Sequence, residues 1–256
     1  MKIAAWNVNS LNVRLPQVLE YLAEHQLDVL ALQETKCTDD KFPLADINAA
    51  GYHAIYTGQK TFNGVAILTR TPVKAEQSAL PNFADDQKRF LTTTLNGIHI
   101  VNVYVPNGQS VDSDKYQYKL AWLQHLAAYC KKALTTHKRV VVLGDFNIAP
   151  EDRDVHDPKA WEGQVLVSEP ERAAFRSLLD LGFLDSFRLF TEEGNHYSWW
   201  DYRQGAFRRN LGLRIDHILV SESLRESCQS STIDVIVRKA ERPSDHTVVR
   251  LELAVL

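Results

Sequence analysis

Val140-Val141-Val142-Leu143 is an unbroken apolar run that leads through Gly144 to Asp145, Phe146 and Asn147. A half-buried strand alternates apolar and polar residues. A continuous β-branched run is dry on both faces, so the sheet that holds it must be covered on each side. Strands are also predicted at 2–7, 28–33, 52–56, 64–69, 90–95 and 98–105, and further on at 197–200, 213–220, 233–237 and 247–253. Asn96-Gly97 joins two of these runs, and both residues tolerate positive φ, which marks a two-residue hairpin. Leu15, Val18, Leu19 and Leu22 repeat at helical spacing and predict a helix over 15–24. Leu120, Leu123, Ala127 and Cys130 do the same for 116–134. A third helix over 169–181 has Ser168 as N-cap, Pro170 in its first turn and Gly182 at its stop. Such a mixture predicts one α/β domain over residues 1–256, with two sheets packed together and helices outside.

Bulk properties narrow the function. At 256 residues the chain can bury a substantial core, and 45% hydrophobic with 24% charged residues is ordinary for a water-soluble fold. The N-terminal stretch turns polar at Asn7, too early for a signal-peptide core, and no apolar stretch reaches membrane-spanning length. Cys37, Cys130 and Cys228 are too widely spaced to signal a disulfide framework or a zinc site. A cytoplasmic protein that does not engage membranes is expected. A net charge of −3 excludes a protein that coats nucleic acid through overall basicity. Locally the picture differs: Arg203, Arg208, Arg209 and Arg214 occur with no acid between them, beside Trp199, Trp200, Tyr202 and Phe207. Lys115 and Lys119 add charge elsewhere. A basic loop laced with aromatics suits a phosphate backbone, and a solvated loop over core aromatics is the plainer explanation.

Five strand-like runs stop at polar clusters: Asn7-Val8-Asn9, Gln33-Glu34-Thr35-Lys36, Asp145-Phe146-Asn147, Asp216, and Ser244-Asp245-His246. An apolar run that ends on a carboxylate or amide is costly unless that group meets a cation, a donor or water. Five of them predict strands that converge on one polar site. Glu34 suits magnesium, which keeps most of its waters and needs only one or two carboxylates; otherwise it pairs with Lys36. Asp145 and Asn147 can hold and deprotonate a water, or can form an Asx-turn before Ala149-Pro150. A carboxylate on one nitrogen of His246, such as Asp216, would fix its tautomer and favour its cation. Tyr104 and Asn107 follow another strand, where a buried aromatic and a turn former are equally ordinary.

Together these segments resemble the exonuclease III family of apurinic/apyrimidinic endonucleases, within the endonuclease/exonuclease/phosphatase superfamily. The resemblance rests on WNVNSL from Trp6, LQETK from Leu32, NGVAIL from Asn63, NVYVPNG from Asn102, GDFNIAP from Gly144, SWWDYR from Ser198, GLRIDHIL from Gly212 and RPSDH from Arg242. These blocks span essentially the whole chain in the family's order.

The resemblance implies a four-layer α/β sandwich, two mixed β-sheets packed face to face and flanked by helices. It implies a phosphodiesterase dependent on Mg2+, or Mn2+, that acts as a monomer on duplex DNA with abasic sites, nicks or blocked 3′ ends. Glu34 is then the main metal ligand, with Asn7 and Asp245 around the ion. Asp145 activates the water, Asn147 holds it, and Asp216 with His246, Tyr104 and Asn107 contact the phosphate. Lys115, Lys119, Trp200, Arg203 and Arg208 are expected to contact DNA. Trp199, Leu213 and Ile215 fall where the family builds an apolar pocket for a flipped sugar. Leu166 borders that pocket at a stretch where small residues are common, so it either anchors the next helix or narrows the pocket in favour of 3′-end processing. A superfamily phosphatase for lipid or inositol phosphates and an inactive DNA-binding module are the alternatives.

Overall fold

The computed structural model describes residues 1–254. One sheet contains β1 (Lys2–Asn7), β2 (Val29–Gln33), β3 (His53–Thr57), β4 (Val65–Thr69), β12 (Cys228–Asp234) and β13 (Val248–Leu253), in the order β12-β13-β1-β2-β4-β3. The other contains β5 (Phe90–Leu95), β6 (Ile98–Tyr104), β7 (Val140–Asp145), β8 (Phe183–Asp185) and β11 (Asp216–Ser221), in the order β5-β6-β7-β11-β8. A short ribbon pairs β9 (Trp199–Trp200) with β10 (Gly212–Leu213). The helices are α1 (Leu11–His25), α2 (Leu44–Ala49), α3 (Asp114–Thr136), α4 (Pro158–Trp161) and α5 (Glu169–Asp180).

Side-chain alternation builds the layers. Ile3, Ala5, Ala31 and Ile67 of the first sheet face Ile100, Val141, Leu143 and Ile218 of the second in one buried cluster. On its outer face the first sheet turns Ala4, Trp6, Leu30 and Leu68 toward Leu11, Val18 and Leu22 of α1. The second sheet turns Val101, Val140, Val142 and Leu219 toward Trp122 and Leu126 of α3 and Phe175 and Leu178 of α5. This is the expected four-layer α/β sandwich, and the β-branched run of β7 lies between two dry layers. Gly144, at φ +134°, lets β7 approach β6: a Cβ there would stand 2.1 Å from the Val103 carbonyl oxygen.

Two strand expectations need correction. The segment 213–220 is interrupted, because Arg214 turns into a buried ion-pair network with Asp154 and Asp185 between β10 and β11. The strand placed at 233–237 is instead Cys228–Asp234, followed by a 3₁₀ turn over Val235–Lys239. Asp234 caps that turn by accepting from the Ile236 N–H, and Val235 and Ile236 are solvent-exposed. Their apolar character therefore carried no information about pairing.

Candidate active site

The polar clusters meet at one edge of the paired sheets. β1 and β2 run parallel with Asn7 beside Gln33, and β6 and β7 run parallel with Tyr104 beside Asp145. β11 is antiparallel to β7 with Asp216 opposite Asp145. Asp216 opens its strand and His246 precedes β13; neither closes one, contrary to the expectation. Reversed strand direction brings both to the edge where β1, β2 and β7 end. The backbone here is unusual: Asn9, Ser10, Glu34, Lys36 and Asn147 all have φ between 43° and 88°. For residues with a Cβ the left-handed region costs roughly 1–2 kcal/mol each, and such outliers collect where geometry serves a site.

Side chains lock together across that edge. Asn7 Nδ2 donates to Glu34 Oε1 at 2.8 Å and to Asp145 Oδ2 at 2.9 Å. His246 Nδ1 lies 2.9 Å from Asp216 Oδ2, and its Nε2 lies 3.7 Å from Asp145 Oδ2. Asn147 donates its backbone N–H to Asp145 Oδ1 at 2.9 Å and Nδ2 to the Val105 carbonyl at 2.9 Å, and accepts at Oδ1 from Asn107 at 3.2 Å. Tyr104 is buried beneath Arg89, whose guanidinium lies 4.5 Å above the ring.

Charge is balanced unevenly. Burial opposes ionisation of Glu34, but Lys36 and the Asn7 hydrogen bond outweigh it and hold the carboxyl below its ordinary range. Burial pushes Asp145 up; His246 counteracts this, and neighbouring Asp216 adds to the rise. Burial alone would neutralise His246, yet the Asp216 and Asp145 carboxylates prevail and push it up to about 10. The Tyr104 phenol is raised well above 10 by burial and by the Glu34 charge.

Glu34, Asp145 and His246 offer ligand atoms within 4.8 Å of one another. Two carboxylates, one of them with its charge incompletely offset, fit a hard divalent cation. Lys36 Nζ, 2.9 Å from Glu34 Oε2, supplies positive charge at the same place. Asp245, expected beside the ion, accepts hydrogen bonds from Asn9 Nδ2 and Trp199 Nε1, each at 3.0 Å. A second grouping, Glu76, His99 and His137, fits poorly. Its imidazoles stack at 4.0 Å and 9° between planes, so their in-plane lone pairs do not converge.

The expected DNA contacts divide. Asn107, Lys115, Arg203 and Arg208 are solvent-exposed, although Arg203 is paired with Asp201. Lys119 is a correction: it is fully buried in an ion pair with Glu171 and has no surface to present. Trp200 is another. It is buried edge-on against Phe207, with Nε1 donating to Asn210 at 3.1 Å. Trp199 is half-buried and packs with Leu166, Leu213 and Ile215 in one apolar cluster. Leu166 occupies that cluster at φ +77°.

Three neighbours had no role assigned from the sequence. Ser198 Oγ donates to Asp216 Oδ2 at 2.6 Å and accepts the Ile215 and Asp216 N–H groups, which fixes that carboxylate. Ser244 Oγ donates to the Asn7 carbonyl at 2.7 Å. Phe62 is 65% exposed in the loop whose Asn63 carbonyl accepts from the Lys36 N–H. Ser244 already stood in a polar cluster of the sequence, and the aromatic flanked by Thr61 and Asn63 was a further signal there.

The profile of the endonuclease/exonuclease/phosphatase family matches residues 4–246, from the first strand of the site to its histidine. The chain belongs to that family. Within the endonuclease/exonuclease/phosphatase family it is 36% identical to an exodeoxyribonuclease III of Haemophilus influenzae, over 98% of this chain and 99% of the relative. Its fold superposes with a TM-score of 0.98, at 46% identity and full coverage of both chains, on a 3′ phosphatase from Neisseria bound to a product DNA hairpin. An AP endonuclease from Archaeoglobus fulgidus gives a TM-score of 0.95 at 39% identity, again with full coverage of both chains.

Proposed function

We propose that this protein is a divalent-metal-dependent DNA repair phosphoesterase that processes blocked 3′ ends of duplex DNA at least as readily as it incises beside abasic sites. The observation that carries the reading is the convergence of Glu34, Asp145 and His246 within 4.8 Å, with Asp216 holding the far side of the imidazole. Hydrolysis of a phosphoester needs an in-line water, a base, and neutralisation of charge on the phosphate oxygens. Asp145, with its raised proton affinity, takes the proton of the water. Asn147 uses its remaining amide proton to hold that water or a phosphate oxygen. Protonated His246 lies against the phosphate, and Tyr104 and Asn107 supply further donors. Glu34, with Asn7 beside it, would hold Mg2+ or Mn2+, which when bound neutralises charge on the phosphate oxygens.

Leu166 supports the preference for ends. An internal abasic sugar must swing out of the duplex into an apolar recess. Leu166 packs with Trp199, Leu213 and Ile215 in one apolar cluster, which leaves less room there for such a sugar. A 3′-phosphate at a nick needs no such space. Relatives named as 3′ phosphatase and AP endonuclease support the same pair of substrates.

The test is a gel assay on one duplex with an internal abasic analogue and one with a 3′-phosphate at a nick, with and without EDTA. Wild type should release phosphate at least as fast as it incises, and Leu166→Gly should raise incision relative to release. Dominant incision by wild type, unchanged in the variant, would refute the preference for ends. Activity that survives EDTA would refute the metal.

A further inference from the structure

The buried ion pair Lys119–Glu171 lies beneath the site. Lys119 projects from α3, and its Nζ reaches Glu171 of α5, the Asn147 carbonyl at 2.6 Å and the Asn107 carbonyl at 3.1 Å. An ammonium has three protons, and three oxygens account for all of them. Glu171 is equally occupied. Its Oε1 accepts the Leu166 N–H at 3.0 Å, and its Oε2 accepts the Ser168 N–H at 3.2 Å and the Ser168 hydroxyl at 2.5 Å. Tyr116 closes the group through its hydroxyl, 2.6 Å from Ser168 Oγ. Three loops are thereby tied to one pair of charges: the loop after β6 with Asn107, the loop after β7 with Asn147, and the loop with Leu166.

Stability alone accounts poorly for this pair. Removing two charges from water costs several kcal/mol per ion, and well-packed apolar residues often serve a core as well or better. What an apolar pair cannot do is fix the direction of two carbonyls and two N–H groups. Asn147 needs such fixing. Its φ of 49° is left-handed, its N–H is held by Asp145, and its side-chain amide donates to the Val105 carbonyl.

We propose that Lys119 and Glu171 are positioning residues: they orient Asn147 against Asp145 and hold the Leu166 loop in the same frame, so that the loop that selects the substrate and the amide that holds the reacting water are set by one ion pair. This rests on the function proposed above. Neither residue touches the phosphate, and their effect is on kcat rather than on capture of DNA.

The double variant Lys119→Met/Glu171→Gln tests it. Both charges are removed together, and Gln keeps one acceptor oxygen for the Ser168 N–H, as a capping-box glutamine does, while its NH2 leaves the Leu166 N–H without an acceptor. On the 3′-phosphate nick, kcat should fall about tenfold or more with KM within about threefold, because small misplacements of positioning groups cost rate. A kcat within about twofold of wild type in a folded variant overturns the proposal. If the double variant does not fold, Lys119→Arg is judged on the same split, since its planar fork cannot aim three donors at these convergent oxygens. Amide exchange read by NMR needs no substrate. Protection at Leu166 and Asn147 should drop together in the variant, and unchanged protection at both overturns the claim. A wild type inert on either DNA would instead defeat the proposed function, and leave the positioning role to be decided by exchange alone.

Discussion

Asp216 stands opposite Asp145 in the antiparallel register of β11 and β7, and the His246 imidazole bridges their carboxylates, 2.9 Å from the first and 3.7 Å from the second. One imidazole between two buried acids is held as a cation, with its proton affinity pushed up to about 10 against the opposing effect of burial. Asp145 in turn holds its proton to higher pH than an ordinary aspartate.

Activity should therefore rise with pH as Asp145 ionises, and fall on the alkaline side as His246 loses its proton. Asp216→Asn removes the nearer of the charges that sustain the imidazolium, so the alkaline limb should move to lower pH. The rate at neutral pH should fall by roughly 10²–10³, the usual loss when a preorganised electrostatic partner is removed. Initial rates of 3′-phosphate release measured from pH 5 to pH 11 decide this. An alkaline limb at the same pH in wild type and variant would sink it.

Glu34 offers a separate test through stability. A ligand that binds the folded state alone raises unfolding free energy by about 2.7 kcal/mol when present at a hundred times its Kd. Saturating Mg2+ should raise the melting temperature of the wild type, and EDTA should reverse the shift. Glu34→Gln keeps an acceptor for the Asn7 amide at 2.8 Å but loses the charge, so the Mg2+ shift should vanish. An equal shift in both proteins would place the ion elsewhere.

The polar edge was legible before the structure because its residues abut runs that leave no other place for them. Glu34 and Asn147 follow dry strands and Asp145 closes one, and Asn96-Gly97 marks its hairpin by backbone chemistry alone, with φ of 52° and 74°. Lys119 was misread because its environment is made by Glu171, 52 residues further along, and a lysine on a helix looks solvated until its partner is known. Trp200 was misread beside a basic loop for the same reason, since its core is Phe207 and Asn210. β12 was misplaced because an edge strand of Ser231-Thr232 has no apolar run to betray it, whereas Val235 and Ile236 did have one and lie exposed. Local pattern reports what a strand buries and says little about which distant side chain meets it.

Leu166 yields a stability prediction that pits two effects against each other. Truncating a buried leucine costs about 2–5 kcal/mol, and the side chain is 5% exposed among Val155, Leu213 and Ile215. At φ +77° any residue with a Cβ also carries left-handed strain of about 1–2 kcal/mol, which glycine alone relieves. Leu166→Gly should therefore be destabilised less than Leu166→Ala, although it removes one more carbon. Urea unfolding of the two variants decides the order, and a less stable glycine variant would mean the strain is absent.

His217, which follows Asp216 in β11, should make the fold acid-labile. Its Nε2 donates to the Ile148 carbonyl at 2.8 Å, so its Nδ1 is left to accept from Arg214 at 3.1 Å. Arg214 is itself clamped by Asp154 at 2.6 Å and Asp185 at 2.7 Å. A second proton on the ring would point at the guanidinium. Burial, then the Arg214 charge, lower the His217 pKa from 6.5 to about 4. Between those two values the unfolded chain binds a proton that the folded chain refuses. The contribution is thus complete above about pH 6.5 and lost as pH falls toward 4, on the order of 3 kcal/mol. His99, lowered to about 4 by burial and by its stacked neighbour His137, adds a similar step. His217→Gln retains an acceptor for Arg214 and a donor for Ile148 while abolishing one of the two titrations. Urea midpoints at pH 7.5, 6 and 5 should fall less steeply in this variant than in wild type, with the residual slope belonging to His99 and the buried carboxylates. Parallel pH dependences in the two proteins would show that His217 is protonated in the fold and that Arg214 does not face a lone pair.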